Sequence, residues 1–187
     1  MVEFLPIFHK YFKQKAKILG HQNGLPFYDL FAPIGNMSKE FSFQEANDYI
    51  VSNFRTFSDD LADFADNAFK SNWIDGQPRP GKRGGAFCSS LHPIGQSRIM
   101  ANYDGSFSNL ITLAHELGHA YHGYCIENHK PLNRSYSMPV AETASTFNET
   151  HISLHALEQS DDRDQKLAVL EELLAGASQT IVDISSR

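Results

Sequence analysis

Between Glu3 and Leu19 the apolar residues Phe4, Ile7, Phe8, Phe12, Ala16 and Leu19 recur at near-helical spacing, and Gly20 follows as a stop signal. The pattern predicts a first helix. It breaks across 21–38, where Gly24, Pro26, Pro33 and Gly35 surround Tyr28-Asp29-Leu30-Phe31; this predicts a connection with one short extended piece. Ser42 followed by Glu45 has capping-box spacing and opens a second helix to about Thr56. Ser58 caps a third, in which Leu61, Phe64, Ala65 and Phe69 share one face to about Ser71.

The pattern changes from Asn72 to Asp104. Gly76, Pro78, Pro80, Gly81, Gly84 and Gly85 forbid a long helix, while Ala86–Ser90 and Ser97–Tyr103 alternate as two strands joined through Pro93 and Gly95. Helical spacing returns near Ser106 or Ser108 and runs to about Ile126 through Leu110, Leu113 and Leu117. After a loop over 128–138, Pro139 suits the first turn of a helix continuing to about Leu157. Asp161 or Asp162 then caps a last one through Leu167, Leu170, Leu173, Leu174 and Ile181. The expected class is mainly α, with a small β-sheet or hairpin before the fourth helix, and residues 1–187 as a single domain. The last pattern is still running at Arg187, which leads to the expectation of a piece cut from a larger domain, truncated at its C-terminal end.

Composition narrows the possibilities. The formal charge is −6, the pI is near 5.8, and the Lys and Arg residues are scattered, which argues against a nucleic-acid surface. No apolar run approaches the roughly 20 residues of a membrane span, and polar residues interrupt the N-terminal apolar stretch where a secretory signal would have its core. Cys88 and Cys125 lie far apart without CxxC spacing, so free thiols in a cytoplasmic setting are expected, each a small buried apolar residue. Nothing indicates the oligomeric state.

The fourth helix carries the chemistry. In His115-Glu116-Leu117-Gly118-His119 the two imidazoles project from one face about one turn apart, near enough to share a metal ion. Glu116 projects to one side, where a carboxylate can take a proton from metal-bound water without binding the metal. Catalytic zinc normally takes three protein ligands and leaves one position open for water. His122 lies on the same face as His115, but seven residues on, about 10 Å along the axis, which suits a supporting or substrate-facing role better than ligation. The longer motif HExxHxxGxxH fails, because His122 and Cys125 occupy its glycine and final histidine positions. Glu127 is too close in sequence. Glu142, on the next helix, can come opposite the histidine pair if the two helices pack antiparallel. Glu149 lies within about 20° of it around the helix axis, so either can be the ligand while the other orients a histidine, with Glu142 preferred. His151 and His155 also sit four apart, but on the opposite face from Glu142, as structural or surface residues.

The string Thr112-Leu-Ala-His-Glu-Leu-Gly-His-Ala-Tyr-His122, followed by Pro139-Val-Ala-Glu-Thr-Ala-Ser-Thr-Phe-Asn-Glu149, resembles the oligoendopeptidase F branch of the thimet oligopeptidase superfamily. Tyr28-Asp29-Leu30, Trp73-Ile74-Asp75 and Gly81-Lys-Arg-Gly-Gly-Ala86 resemble the same branch, so the likeness extends over nearly the whole chain. The resemblance implies a helical zincin-type catalytic domain in which His115, His119 and Glu142 hold one zinc ion and Glu116 is the general base. It implies short peptides as substrates, lying beside the strand that follows Gly85 and Ala86. Family members also carry a downstream tyrosine and histidine that stabilise the oxyanion, and no stretch here matches them. Tyr121 and Tyr124 do not fit that motif either. The expectation is therefore a zinc-dependent oligopeptidase or, as the alternative, a zinc-binding piece impaired in catalysis.

Overall fold

The computed structural model describes residues 2–35 and 39–183. Its chain contacts group into two compact units, one of Lys39–His155 and one of Met1–Ser38 with Ala156–Arg187.

In the Lys39–His155 unit the first two helices, α2 (Phe43–Arg55) and α3 (Asp59–Lys70), begin where the capping signals lie. Ser42 Oγ accepts from the Glu45 amide at 3.2 Å, and Glu45 Oε2 accepts from the Ser42 amide at 2.7 Å, which satisfies two amides that a helix start would otherwise leave open. Ser58 Oγ accepts from Leu61 in the same way at the start of α3. A three-stranded sheet follows in the order β1–β3–β2, formed by β1 (Ile74–Asp75), β2 (Phe87–Leu91) and β3 (Gln96–Met100). Strands β2 and β3 pair antiparallel with Cys88 opposite Ile99, joined by a short 3₁₀ turn ending at Gly95 in the left-handed region. Strand β1 pairs parallel to β3 and is an addition to the expected hairpin; with two residues it carries no alternation for the sequence to display. Helix α4 (Phe107–Cys125), capped by Ser106, packs on β2 and β3, and α5 (Met138–Gln159) follows. The core comprises Ile50, Phe54, Leu61, Trp73, Ile99, Leu110, Leu113, Leu117 and Ile152, all buried.

In the other unit, α1 (Leu5–Ile18) ends as Gly20 turns the chain with φ +85°, and α6 (Arg163–Ser178) starts at Asp162, whose carboxylate accepts from the Asp164 and Gln165 amides. Phe8, Ala16, Ile34, Ala156 and Val169 are its buried apolar residues among those described. Lys15, with no side-chain exposure, pairs with Glu171 at 2.5 Å, and the Tyr11 hydroxyl donates to the same carboxylate. The extended piece expected around 28–31 is instead a 3₁₀ turn, Phe27–Asp29. Pro26 presets φ, and the Asp29 and Leu30 amides bond back to Pro26 and Phe27, so the segment satisfies its own backbone without a neighbouring strand. Residues 36–38 of that connection, and the last four of the chain, lie outside the described residues. No helix among the described residues is long and apolar enough to cross a membrane.

Candidate metal centre

The site begins with one glycine. Gly118 lies in the interior of α4, where glycine costs about 1 kcal/mol relative to alanine, yet a Cβ there would sit 2.8 Å from Ala144 O and 2.9 Å from Ser145 Cα. The absent side chain lets α5 approach α4 backbone to backbone, and the carboxylates of α5 reach the histidines through that approach.

Three ligand atoms converge there. His115 Nε2 and His119 Nε2 are 3.2 Å apart, and Glu142 Oε2 lies 3.4 Å from the first and 3.6 Å from the second. His115, His119 and Glu142 form the single such group of potential metal ligands among the described residues. Ligands at 2.0–2.1 Å in a tetrahedron about zinc are separated by about 3.3 Å, so the spacing matches what one ion requires. The donor chemistry matches as well, with two imidazole nitrogens and one carboxylate oxygen.

Around this trio each neighbour has a defined partner. Glu149 Oε1 accepts from His115 Nδ1 at 2.7 Å, which puts the proton on Nδ1 and leaves the Nε2 lone pair facing the cluster. Ser145 Oγ donates to Glu142 Oε2 at 2.8 Å and is 3.0 Å from Glu142 O. Burial alone would depress the His115 imidazole, but the Glu149 bond and the charges of Glu149, Glu116 and Glu142 outweigh it and raise its pKa. His119, half-buried and beside His115, is shifted down by burial and by that neighbour.

Glu116 is 5% exposed, and its Oε2 is buried without a hydrogen-bond partner. Burial pushes its carboxyl up to about 7; His115 opposes this, and Glu142 and Glu149 add to it. A carboxylate held this way is suited to accept and return a proton near neutral pH.

The remaining candidates lie elsewhere. His122, whose Nδ1 is buried and unpartnered, packs on the Tyr136 ring with centroids 4.4 Å apart. The Tyr121 hydroxyl donates to Asp60, and its ring stacks with Tyr124. His151 Nε2 lies 3.1 Å from Asn53 O, and its ring stacks on Phe147, which makes it a packing residue. Gly85 takes φ +80° just before β2, an edge strand of the sheet, and its carbonyl accepts from Asn102. Both cysteines are free; Cys88 is half-buried, but Cys125 is exposed rather than buried, since it ends the last turn of α4.

Comparison with known proteins decides the family. The model of peptidase family M3 matches residues 1–183. The chain belongs to peptidase family M3. Among its relatives, it is 31% identical over 179 residues to oligopeptidase PepF of Bacillus subtilis, covering 95% of this chain and 26% of that protein. It is 32% identical over 178 residues to group B oligopeptidase PepB of Streptococcus agalactiae, covering 95% and 29%. A crystallised Chlamydophila abortus protein assigned as a peptidase superposes with a TM-score of 0.78 at 28% identity, over 97% of this chain and 32% of that one. The chain thus spans about a quarter to a third of the length of these relatives. This M3 chain is mainly α with a small sheet, as its patterning predicts. Sequence reasoning passes over Gly118 and Ser145. A glycine inside a strongly helical pattern is the available signal for the first, because it marks a close approach; Ser145 carries no comparable mark.

Proposed function

We propose that this chain carries the zinc centre of a metallo-oligopeptidase that hydrolyses short peptides. The observation that carries the reading is the convergence of His115 Nε2, His119 Nε2 and Glu142 Oε2 at 3.2–3.6 Å around one point. Those three residues hold one zinc ion, which when bound polarises a water and the peptide carbonyl and brings the water pKa to about 7. Cobalt or manganese can take its place.

Glu116 is the general base. Its unpartnered Oε2 accepts a proton from the attacking water as the water oxygen bonds to the carbonyl carbon. It then gives that proton to the amide nitrogen as the C–N bond breaks, so the products are a carboxylic acid and an amine. Glu149 holds His115 in the tautomer that presents Nε2. Strand β2, entered from Gly85 and Ala86, lies at the edge of the sheet, and an extended peptide can align along its outer side. Two free thiols and an acidic chain fit a cytoplasmic enzyme.

The test is Glu116→Gln, with metal content measured by elemental analysis and turnover by a quenched-fluorescent peptide. One zinc per chain with turnover abolished is the expected outcome, and an unchanged rate overturns the role of Glu116. Zinc retained without turnover in the unmutated chain establishes instead the alternative, a zinc-binding piece impaired in catalysis.

A further inference from the structure

We propose that Ser145 is a positioning residue for the metal centre, fixing the Glu142 carboxylate in the orientation that faces both histidines; this rests on the reading of Glu142 as a metal ligand. Ser145 is fully buried, and Glu142 lies one helical turn before it on α5. Its hydroxyl lies 2.8 Å from Glu142 Oε2, and this is the oxygen that lies 3.4 and 3.6 Å from the two imidazole nitrogens.

Glu142 needs such a restraint. Its side chain is 42% exposed, and a glutamate left free loses more rotamer entropy on being fixed than almost any other residue. A hydroxyl donating to a charged oxygen forms a charge-assisted bond, and a carboxylate oxygen has a second lone pair to offer a metal. The hydroxyl therefore orients the oxygen without occupying its only acceptor site.

A plainer account exists for a small residue at this position. Ser145 lies where α5 comes closest to α4, with its Cα 2.9 Å from the point a Gly118 side chain would occupy, so close packing by itself demands something small. Alanine meets that demand as well as serine does and lacks only the hydroxyl. Ser145→Ala separates the two accounts.

The experiment measures zinc affinity of the chain by competition with a chromophoric chelator, together with thermal unfolding of the metal-free form. The variants are Ser145→Ala, Glu142→Ala and the double variant. Positioning predicts that Ser145→Ala unfolds at the parent temperature or above, since alanine favours the helix, while zinc binding weakens 10- to 100-fold. In the Glu142→Ala background the same change has no further effect. If Ser145→Ala binds zinc within threefold of the parent while Glu142→Ala does not, the positioning role is wrong and the metal site stands. If Ser145→Ala weakens zinc equally in both backgrounds, its effect does not pass through Glu142 and the role is again overturned. If Glu142→Ala leaves affinity unchanged, the metal-site reading itself fails and takes this inference with it.

Discussion

Replacing Gly118 by alanine tests whether the approach of α5 to α4 builds the metal centre. In an open helix this substitution stabilises by about 1 kcal/mol, because alanine loses less backbone entropy on folding. At Gly118 the new Cβ would lie 2.6 Å from Asn148 Nδ2, 2.8 Å from Ala144 O and 2.9 Å from Ser145 Cα. The asparagine side chain can swing away; the other two atoms belong to the α5 backbone. Comfortable contact needs about 3.5 Å or more, so α5 must recede by roughly 0.6–0.7 Å. Overpacking of this kind costs about 1–3 kcal/mol, which cancels the helix gain and leaves a net loss of up to about 2 kcal/mol. Receding α5 also draws Glu142 from its 3.4 and 3.6 Å separations, away from the roughly 3.3 Å that a tetrahedral ion sets, and zinc affinity falls at least 10-fold.

Trp73, the single tryptophan, is buried in the same unit as the site, so its fluorescence in a urea titration reports the relevant unfolding. Gly176→Ala is the matched control: Gly176 lies in α6, where a Cβ would meet nothing within 4 Å, and the change raises stability there by about 0.5–1 kcal/mol by far-UV circular dichroism. A Gly118→Ala protein as stable as its parent, with zinc affinity within threefold, would refute the packing argument.

Other perturbations have equally definite outcomes. Glu149→Ala removes the acceptor of the His115 Nδ1 proton and weakens zinc binding about 10- to 100-fold by chelator competition, with a smaller loss than Glu142→Ala. Lys15→Met leaves Glu171 buried without its cation and destabilises the unit of α1 and α6 by about 3–5 kcal/mol, whereas Lys15→Met with Glu171→Leu recovers most of this in a thermal melt. Burial and the neighbouring Glu116 push the Cys88 thiol up to about 12, so its thiolate fraction at pH 8 is only about 10⁻⁴ and rises tenfold per pH unit. Iodoacetamide at pH 8 should therefore label exposed Cys125 first; prior labelling of Cys88 in the folded protein contradicts this.

The parts of the fold legible in the sequence are those whose signal is local. Ser42 with Glu45, Ser58, Ser106 and Asp162 each cap the helix that follows them, because a capping bond spans two or three residues and needs no tertiary partner. Strand β1 is not legible: its two residues are a strand only because β3 lies alongside, with Ile74 opposite Ile99 across 25 positions of chain. The 3₁₀ turn at Phe27 shows the opposite failure, where aromatic residues suggest an extended piece and Pro26 together with short backbone bonds decides otherwise.

The same distinction divides the site. The histidine pair is a consequence of four-residue spacing on one helix, but the choice between Glu142 and Glu149 depends on a distance between helices that rotation around α5 does not encode. Their seven-residue separation is about 10 Å along the axis, so they cannot serve the same atom. With Ser145 against Gly118 at the crossing, Glu149 falls on the His115 Nδ1 side and Glu142 reaches the Nε2 atoms of both histidines. His115 is thereby held from both ring nitrogens by one helix, which is possible only at a separation that a side chain at Gly118 would forbid. The geometry of the centre is accordingly specified by three features acting together: two histidines one turn apart, a glycine between them, and a glutamate one turn ahead of the serine that meets that glycine. A side chain at Gly118 would leave the two histidines together on α4 but move Glu142 and Glu149 out of their reach.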